Sequence, residues 1–222
     1  TSAITNTGTG SETLFAANSS AGGATIINTS GGRTVFDNNS TATTGNLVSH
    51  IENDGGSTQF LGNSSAGNAV ITIASGTSIG FADNANGTTN TVVTNDQGGL
   101  INLSGLSGTP GNPGVLTLGT INGAGMIELG GNTLQIGSTG NSDISGTIGP
   151  LSESGSVIVV GTGDVDLSGM NLYRGPTEVK SGTLTIGQSG ETDAKMASSI
   201  LVDPSGTLNG FGSVFANIQN NG

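Results

Sequence analysis

Apolar residues recur along this chain in short β-branched and Leu-rich runs, such as Ala69-Val70-Ile71-Thr72-Ile73, Val115-Leu116-Thr117-Leu118 and Val157-Ile158-Val159-Val160. Paired glycines punctuate them at Gly22-Gly23, Gly31-Gly32, Gly55-Gly56, Gly98-Gly99 and Gly130-Gly131. β-branched runs bounded by turn residues predict many short strands, and no segment carries a helical period over three turns. The closest approach to one, Glu191 to Ile200, is read as a surface loop.

The runs repeat. Phe15, Phe36, Phe60 and Phe81 recur at nearly regular intervals, and each is followed three positions later by an asparagine: Asn18, Asn39, Asn63 and Asn84. A short repeat of this kind, built from strands without helices, is the signature of a solenoid. The expected fold is therefore all-β, a right-handed parallel β-helix. Each repeat should form one coil of three strands, stacked about 4.8 Å from the next. The four phenylalanines should stack inside as a core column. The four asparagines should form an amide ladder at a turn. Residues 1–104 read as coils with these repeats, 105–114 as a Gly/Pro loop carrying Pro110 and Pro113, and 115–222 as coils continuing the same solenoid.

Composition sharpens this picture. Glycine, threonine, serine and asparagine make up more than half of the 222 residues, a bias that also occurs in disordered chains. Disorder, however, needs low hydrophobicity with high net charge. Here mean hydropathy is near zero, and a net charge of −11 is thinly spread. The absence of cysteine excludes disulfides and thiolate chemistry. One histidine excludes a histidine-built metal centre. Four basic residues give no surface for nucleic acid. No apolar run is long enough to span a membrane as a helix, so membrane insertion by these residues is not expected.

The segment 157–187 reads VIVVGTGDVDLSGMNLYRGPTEVKSGTLTIG. It resembles the passenger-associated repeat of bacterial autotransporters, in which an apolar strand is followed by G-x-G-x-L-x-L-S-G-x-N-x-Y-x-G-x-T-x-V-x-x-G-T-L-x-I. Val165 replaces one leucine of that pattern, and Asp164 and Asp166 replace small polar residues. Flanking segments 126–137 and 200–222, and the N-terminal FxxN units, are similar to other passenger coils. Chlamydial polymorphic outer-membrane proteins also use FxxN repeats. Their G-G-A-aliphatic partner motif is broken here by Thr25, and their cysteines are missing. The resemblance implies a type V secretion passenger at the cell surface of a Gram-negative bacterium, or released from it, with the translocator barrel beyond these residues. Thr1-Ser2-Ala3-Ile4 accordingly reads as the middle of a longer protein.

Little in the chain suggests catalysis. His50 stands in no nucleophile motif and is expected to face outward. Asp164 and Asp166 alternate with Val165 and Leu167, which puts both carboxylates on one strand face, about 7 Å apart. A solvated face is the expected reading, with calcium as the candidate ligand. Tyr173 and Arg174 are candidates for a small contact spot on a turn, but Tyr173 also matches a position of the family repeat, so packing is the preferred reading for it. Neither a catalytic centre nor a cofactor is expected. Phe211 and Phe215 should be partly uncovered on an open sheet edge, where fraying over 208–222 or self-association follows. The functional expectation is a rod-like stalk or adhesin attaching to a host cell-surface protein, a glycan or a copy of itself. A secreted effector that binds a host receptor is the alternative. A β-helix polysaccharide-degrading enzyme is disfavoured by the scattered basic residues at 33, 174, 180 and 195.

Overall fold

The computed structural model describes residues 2–108, 112–150, 154–191 and 193–222. It is all-β: parallel strands stack as a solenoid of about 10 turns, with no helix among the described residues. Three faces run along the stack. The first face begins with Ala3–Thr7, Thr25–Thr29, His50–Asp54 and Val70–Ile73, each strand pairing in parallel with its successor. The second begins with Glu12–Phe15, Arg33–Phe36, Ser57–Phe60 and Ser78–Asp83. The third face is irregular in the early coils, where single bridges link Ser20, Thr41, Ser65 and Asn86. It becomes a regular sheet from Val115–Leu118 onward, through Thr133–Ile136 and Ser156–Val159.

One column of outward-facing residues on the first face can be followed from coil to coil along the molecule. It runs Thr5, Ile27, Glu52, Thr72, Thr94, Asn122, Asp143, Asp166, Thr185 and Asn209 through successive register pairs. Behind it, Ile26, Ile51, Ile71, Val93 and Ile121 are buried in the matching inward column. Strand periodicity explains both: alternate side chains face opposite sides, and parallel register brings like positions together. Each buried aliphatic side chain contributes about 1.5–3 kcal/mol through removal from water. Thr, Ser and Asn on the outer side leave that surface compatible with solvent.

The 105–114 segment divides. Gly105 and Leu106 belong to the strand Leu100–Leu106, which resumes pairing with Ala82 and Asp83 after a bulge. Gly108, Pro113 and Gly114 lie outside strands, and Pro110 falls outside the described residues. Of the segment read as a loop, Ala194 to Ile200 is instead part of the stack. Ala194, Met196, Ser198 and Ile200 are all buried, and Lys195–Met196 pairs with Met170–Asn171 and Ser213–Val214. The inward alternation of small and medium side chains is a strand pattern, too weakly apolar to stand out in the sequence. Phe211 and Phe215 are 72% and 70% exposed.

The segment 157–187 makes a full turn of the solenoid. It passes from the third face at Ser156–Val159 to the first at Asp164–Leu167 and the second at Met170–Asn171. The strand Thr177–Ile186 then bends from the third face back to the first, with a register shift between Val179 and Ser181.

Candidate functional site

The FxxN units meet at one corner. The rings of Phe15, Phe36, Phe60 and Phe81 stack with centroids 4.7, 4.8 and 5.1 Å apart and planes within 9°. Phe36, Phe60 and Phe81 are fully buried, and Phe15 is half-buried. In each unit the residue before the asparagine has positive φ: Ala17 at 56°, Asn38 at 58°, Gly62 at 64° and Asp83 at 57°. This left-handed residue turns the chain out of the second face and points the next side chain along the axis. Asn39 donates to Asn18, Asn63 to Asn39 and Asn84 to Asn63, at 3.3, 3.2 and 3.0 Å. The result is a solvent-facing amide ladder.

A second asparagine ladder lies inside, and sequence reasoning missed it. Asn6 donates to Asn28 Oδ1 at 2.8 Å, and Asn28 to Asn53 Oδ1 at 2.9 Å. Thr34 Oγ1 and Thr58 Oγ1 complete the network, each donating to the asparagine of its own coil. All five are buried. In the next coil Ile73 takes the position, so Asn53 donates instead to the Ser78 carbonyl oxygen. The available signal was an aliphatic residue two positions before an asparagine that precedes paired glycines, as in Ile26-x-Asn28 and Ile51-x-Asn53.

The expected contact spot does not form as a pair. Tyr173 is 0% exposed, and its hydroxyl meets Thr177 Oγ1 at 2.6 Å. Thr177 in turn meets Ser198 Oγ at 2.6 Å. Burial pushes the Tyr173 phenol up to about 12, against the opposing effect of these hydroxyls. Tyr173 lies in the connection between Met170–Asn171 and Thr177–Ile186, where Asn171, Tyr173, Gly175 and Thr177 are buried while Arg174 and Pro176 are exposed, so the packing reading of Tyr173 holds. His50 stands exposed on the outer side of the first face, between Thr25 and Val70 in register.

Asp164 and Asp166 both lie on the outer side of their strand, with Val165 and Leu167 buried beneath. The expectation that both carboxylates are solvated fails for Asp166, which is 4% exposed. The chain leaves the sheet after Ile186, turns at Gly187 with φ 64°, and brings Gln188 back over it. Gln188 Nε2 donates to Asp166 Oδ2 at 2.7 Å, while Oδ1 is buried with no hydrogen-bond partner. Asp164 accepts from Thr185 Oγ1 at 2.8 Å. Asp143, unremarked in the sequence, is the register partner of Asp166 on the adjacent strand and accepts from Ser168 Oγ at 3.3 Å. Burial raises the Asp166 carboxyl above the usual carboxylate range. The Gln188 hydrogen bond opposes this, and the charges of Glu191, Asp143 and Asp164 add to it. An open cleft of about 630 Å3 adjoins, lined by Ser145, Thr147, Ser168, Met170, Glu191 and Asp193. Among the described residues no three His, Cys, Asp or Glu side chains converge to form a metal centre on their own. The signal for Asp143 was the echo of Asp143-Ile144 in Asp166-Leu167, one repeat further along the chain.

Of the basic residues, Arg33 pairs with Glu12 and Lys180 with Glu178, both at 3.4 Å. Comparison with known proteins gave no matching family model, no matching curated protein and no matching solved structure.

Proposed function

We propose that this chain is the stalk of an exported passenger, a stiff rod whose exterior carries adhesive contacts to a host cell-surface protein, a glycan or a second copy. The observation that carries the reading is the unbroken outer column from Thr5 to Asn209. Register carried from each coil to the next transmits position along the stack, which a stalk requires. Its exterior supports the same reading. Ladders of amides and hydroxyls, such as Asn18, Asn39, Asn63 and Asn84, repeat one hydrogen-bonding unit along the axis. Repetition favours many weak contacts over one tight pocket, and linked weak contacts gain strength through high effective concentration. The resemblance of 157–187 to the autotransporter passenger repeat supports the export route.

The test is surface display. The chain fused to an outer-membrane translocator in a non-adherent Gram-negative host should raise attachment to epithelial cells or immobilised glycans, or cause the bacteria to clump. Cells carrying the translocator alone are the reference. Attachment and clumping no greater than in the reference, with the chain shown to be at the surface, would overturn the proposal.

A further inference from the structure

We propose that Asp143 and Asp166 form a site for a hard divalent cation of the calcium class, completed by the Ser168 hydroxyl, the Gln188 side-chain amide oxygen and water. The two aspartates are register partners on adjacent parallel strands, with side chains on the same outer side of the sheet. Their backbones are therefore about 4.8 Å apart. Like charges directly opposite one another across strands are destabilising, and the other charged groups acting on Asp166, namely Glu191 and Asp164, are also acidic. Among the described residues no basic side chain offsets them there: Arg33 and Lys180 are paired elsewhere, and the groups bearing on Asp166 include neither Arg174 nor Lys195.

The independent observation is the orphaned oxygen. Asp166 is buried, its Oδ2 is engaged by Gln188, and its Oδ1 has no partner. Buried polar atoms are rarely left unpaired, and a buried carboxylate oxygen among other carboxylates is the costliest of them. A cation beside Oδ1 satisfies that atom and separates the stacked charges at once. The surrounding donors are all oxygens: two carboxylates, the Ser168 hydroxyl now bonded to Asp143, and an amide that presents Oε1 after a half-turn. Oxygen-only sets select hard cations, and calcium accepts irregular geometry where magnesium demands an octahedron. Two carboxylates rather than three or four place the site at the weak end of calcium affinities, about 10⁻⁴–10⁻³ M, in the range of extracellular modules.

The experiment titrates chelator-treated protein with calcium chloride at neutral pH, reading heat by calorimetry and the thermal midpoint in parallel. Wild type should show saturable binding with half-saturation at about 10⁻⁴–10⁻³ M and a midpoint that rises with calcium. Asp166→Asn should lose both responses, and in calcium-free buffer it should melt no lower than wild type because one of the stacked charges is gone. Asp164→Asn, whose carboxylate is committed to Thr185, should keep the saturable response. If Asp166→Asn does not fold, Asp143→Asn takes its place in the comparison. Absence of saturable binding up to about 10 mM calcium, or binding unchanged in both the Asp166 and Asp143 variants, overturns the assignment.

Discussion

Phe36 and Phe60 stack with nearly parallel rings, centroids 4.8 Å apart and planes within 5°. That separation lies within the range of preferred aromatic pairs, about 4.5–7 Å between centroids. Here strand register, with Phe36 opposite Phe60, dictates the alignment. Phe60→Ala should destabilise the protein by about 3–5 kcal/mol, because it opens a cavity between two rings. Chemical denaturation of both proteins checks this, and a midpoint that does not move would show the ring is not packed as described.

The two asparagine ladders should respond very differently to truncation. Asn28→Ala removes a side chain that bonds Asn6, Asn53, Thr34 and Thr58, and it leaves an Asn6 amide hydrogen and the Thr34 hydroxyl hydrogen without their buried acceptor. A cost of about 2–4 kcal/mol follows from two or more groups left unsatisfied. Asn39→Ala breaks only exposed, long hydrogen bonds, which water replaces. It should cost less than about 1 kcal/mol. Equal losses for the two variants in a urea series would contradict the inner network.

The two ladders also differ in how readable they were. The outer one came with a marker, since each asparagine sits at a fixed offset from a phenylalanine and phenylalanine is rare in this chain. The inner ladder and the Asp143–Asp166 pair had no such marker. Register partners on the first face are unevenly spaced: Thr94 and Asn122 lie much farther apart along the chain than Asp166 and Thr185. Turns absorb the variable length, so vertical neighbours cannot be found by counting once the phenylalanine ends at the fourth coil. Tyr173 stands between two strands, and only its match to the family repeat favoured the packing role over a contact spot with Arg174. Strand phase, which sets whether a side chain points in or out, is not visible in a segment where small and polar residues fill many inward positions.

Tyr173 is the only tyrosine and the chain has no tryptophan, so phenolate absorbance reports this residue alone. In the folded protein its titration should be displaced to about 12 by burial. In denaturant it should return to about 10. The sign for stability follows. Above about pH 10 the unfolded chain releases the proton and the folded one does not, so stability falls as pH rises from there towards the folded value. A folded-state titration near the ordinary phenol value would mean the ring is open to solvent.

Close stacking makes some glycines irreplaceable. At Gly137, with φ 140°, an added Cβ would lie 1.8 Å from the Val160 carbonyl oxygen on the next coil. At Gly76, with φ 77°, a Cβ meets nothing within 4 Å. Gly76→Ala should cost about 1–2 kcal/mol for the left-handed backbone. Gly137→Ala should cost far more, or prevent folding, because backbone must move. Parallel thermal melts decide it, and similar midpoints for the two variants would argue against the coil spacing.

The central claim is one continuous rod, and a single long distance tests it most directly. Thr5 and Asn209 are both exposed and stand in the same outward column, nine register steps apart. At about 4.8 Å per step the separation is about 43 Å. The chain has no cysteine, so Thr5→Cys combined with Asn209→Cys gives two unique sites for spin labels. Pulsed electron–electron resonance should return one narrow distribution centred at about 43 Å, within the reach of the label linkers. A broad distribution, or a distance well short of this, would contradict the continuous stack and the stalk that rests on it.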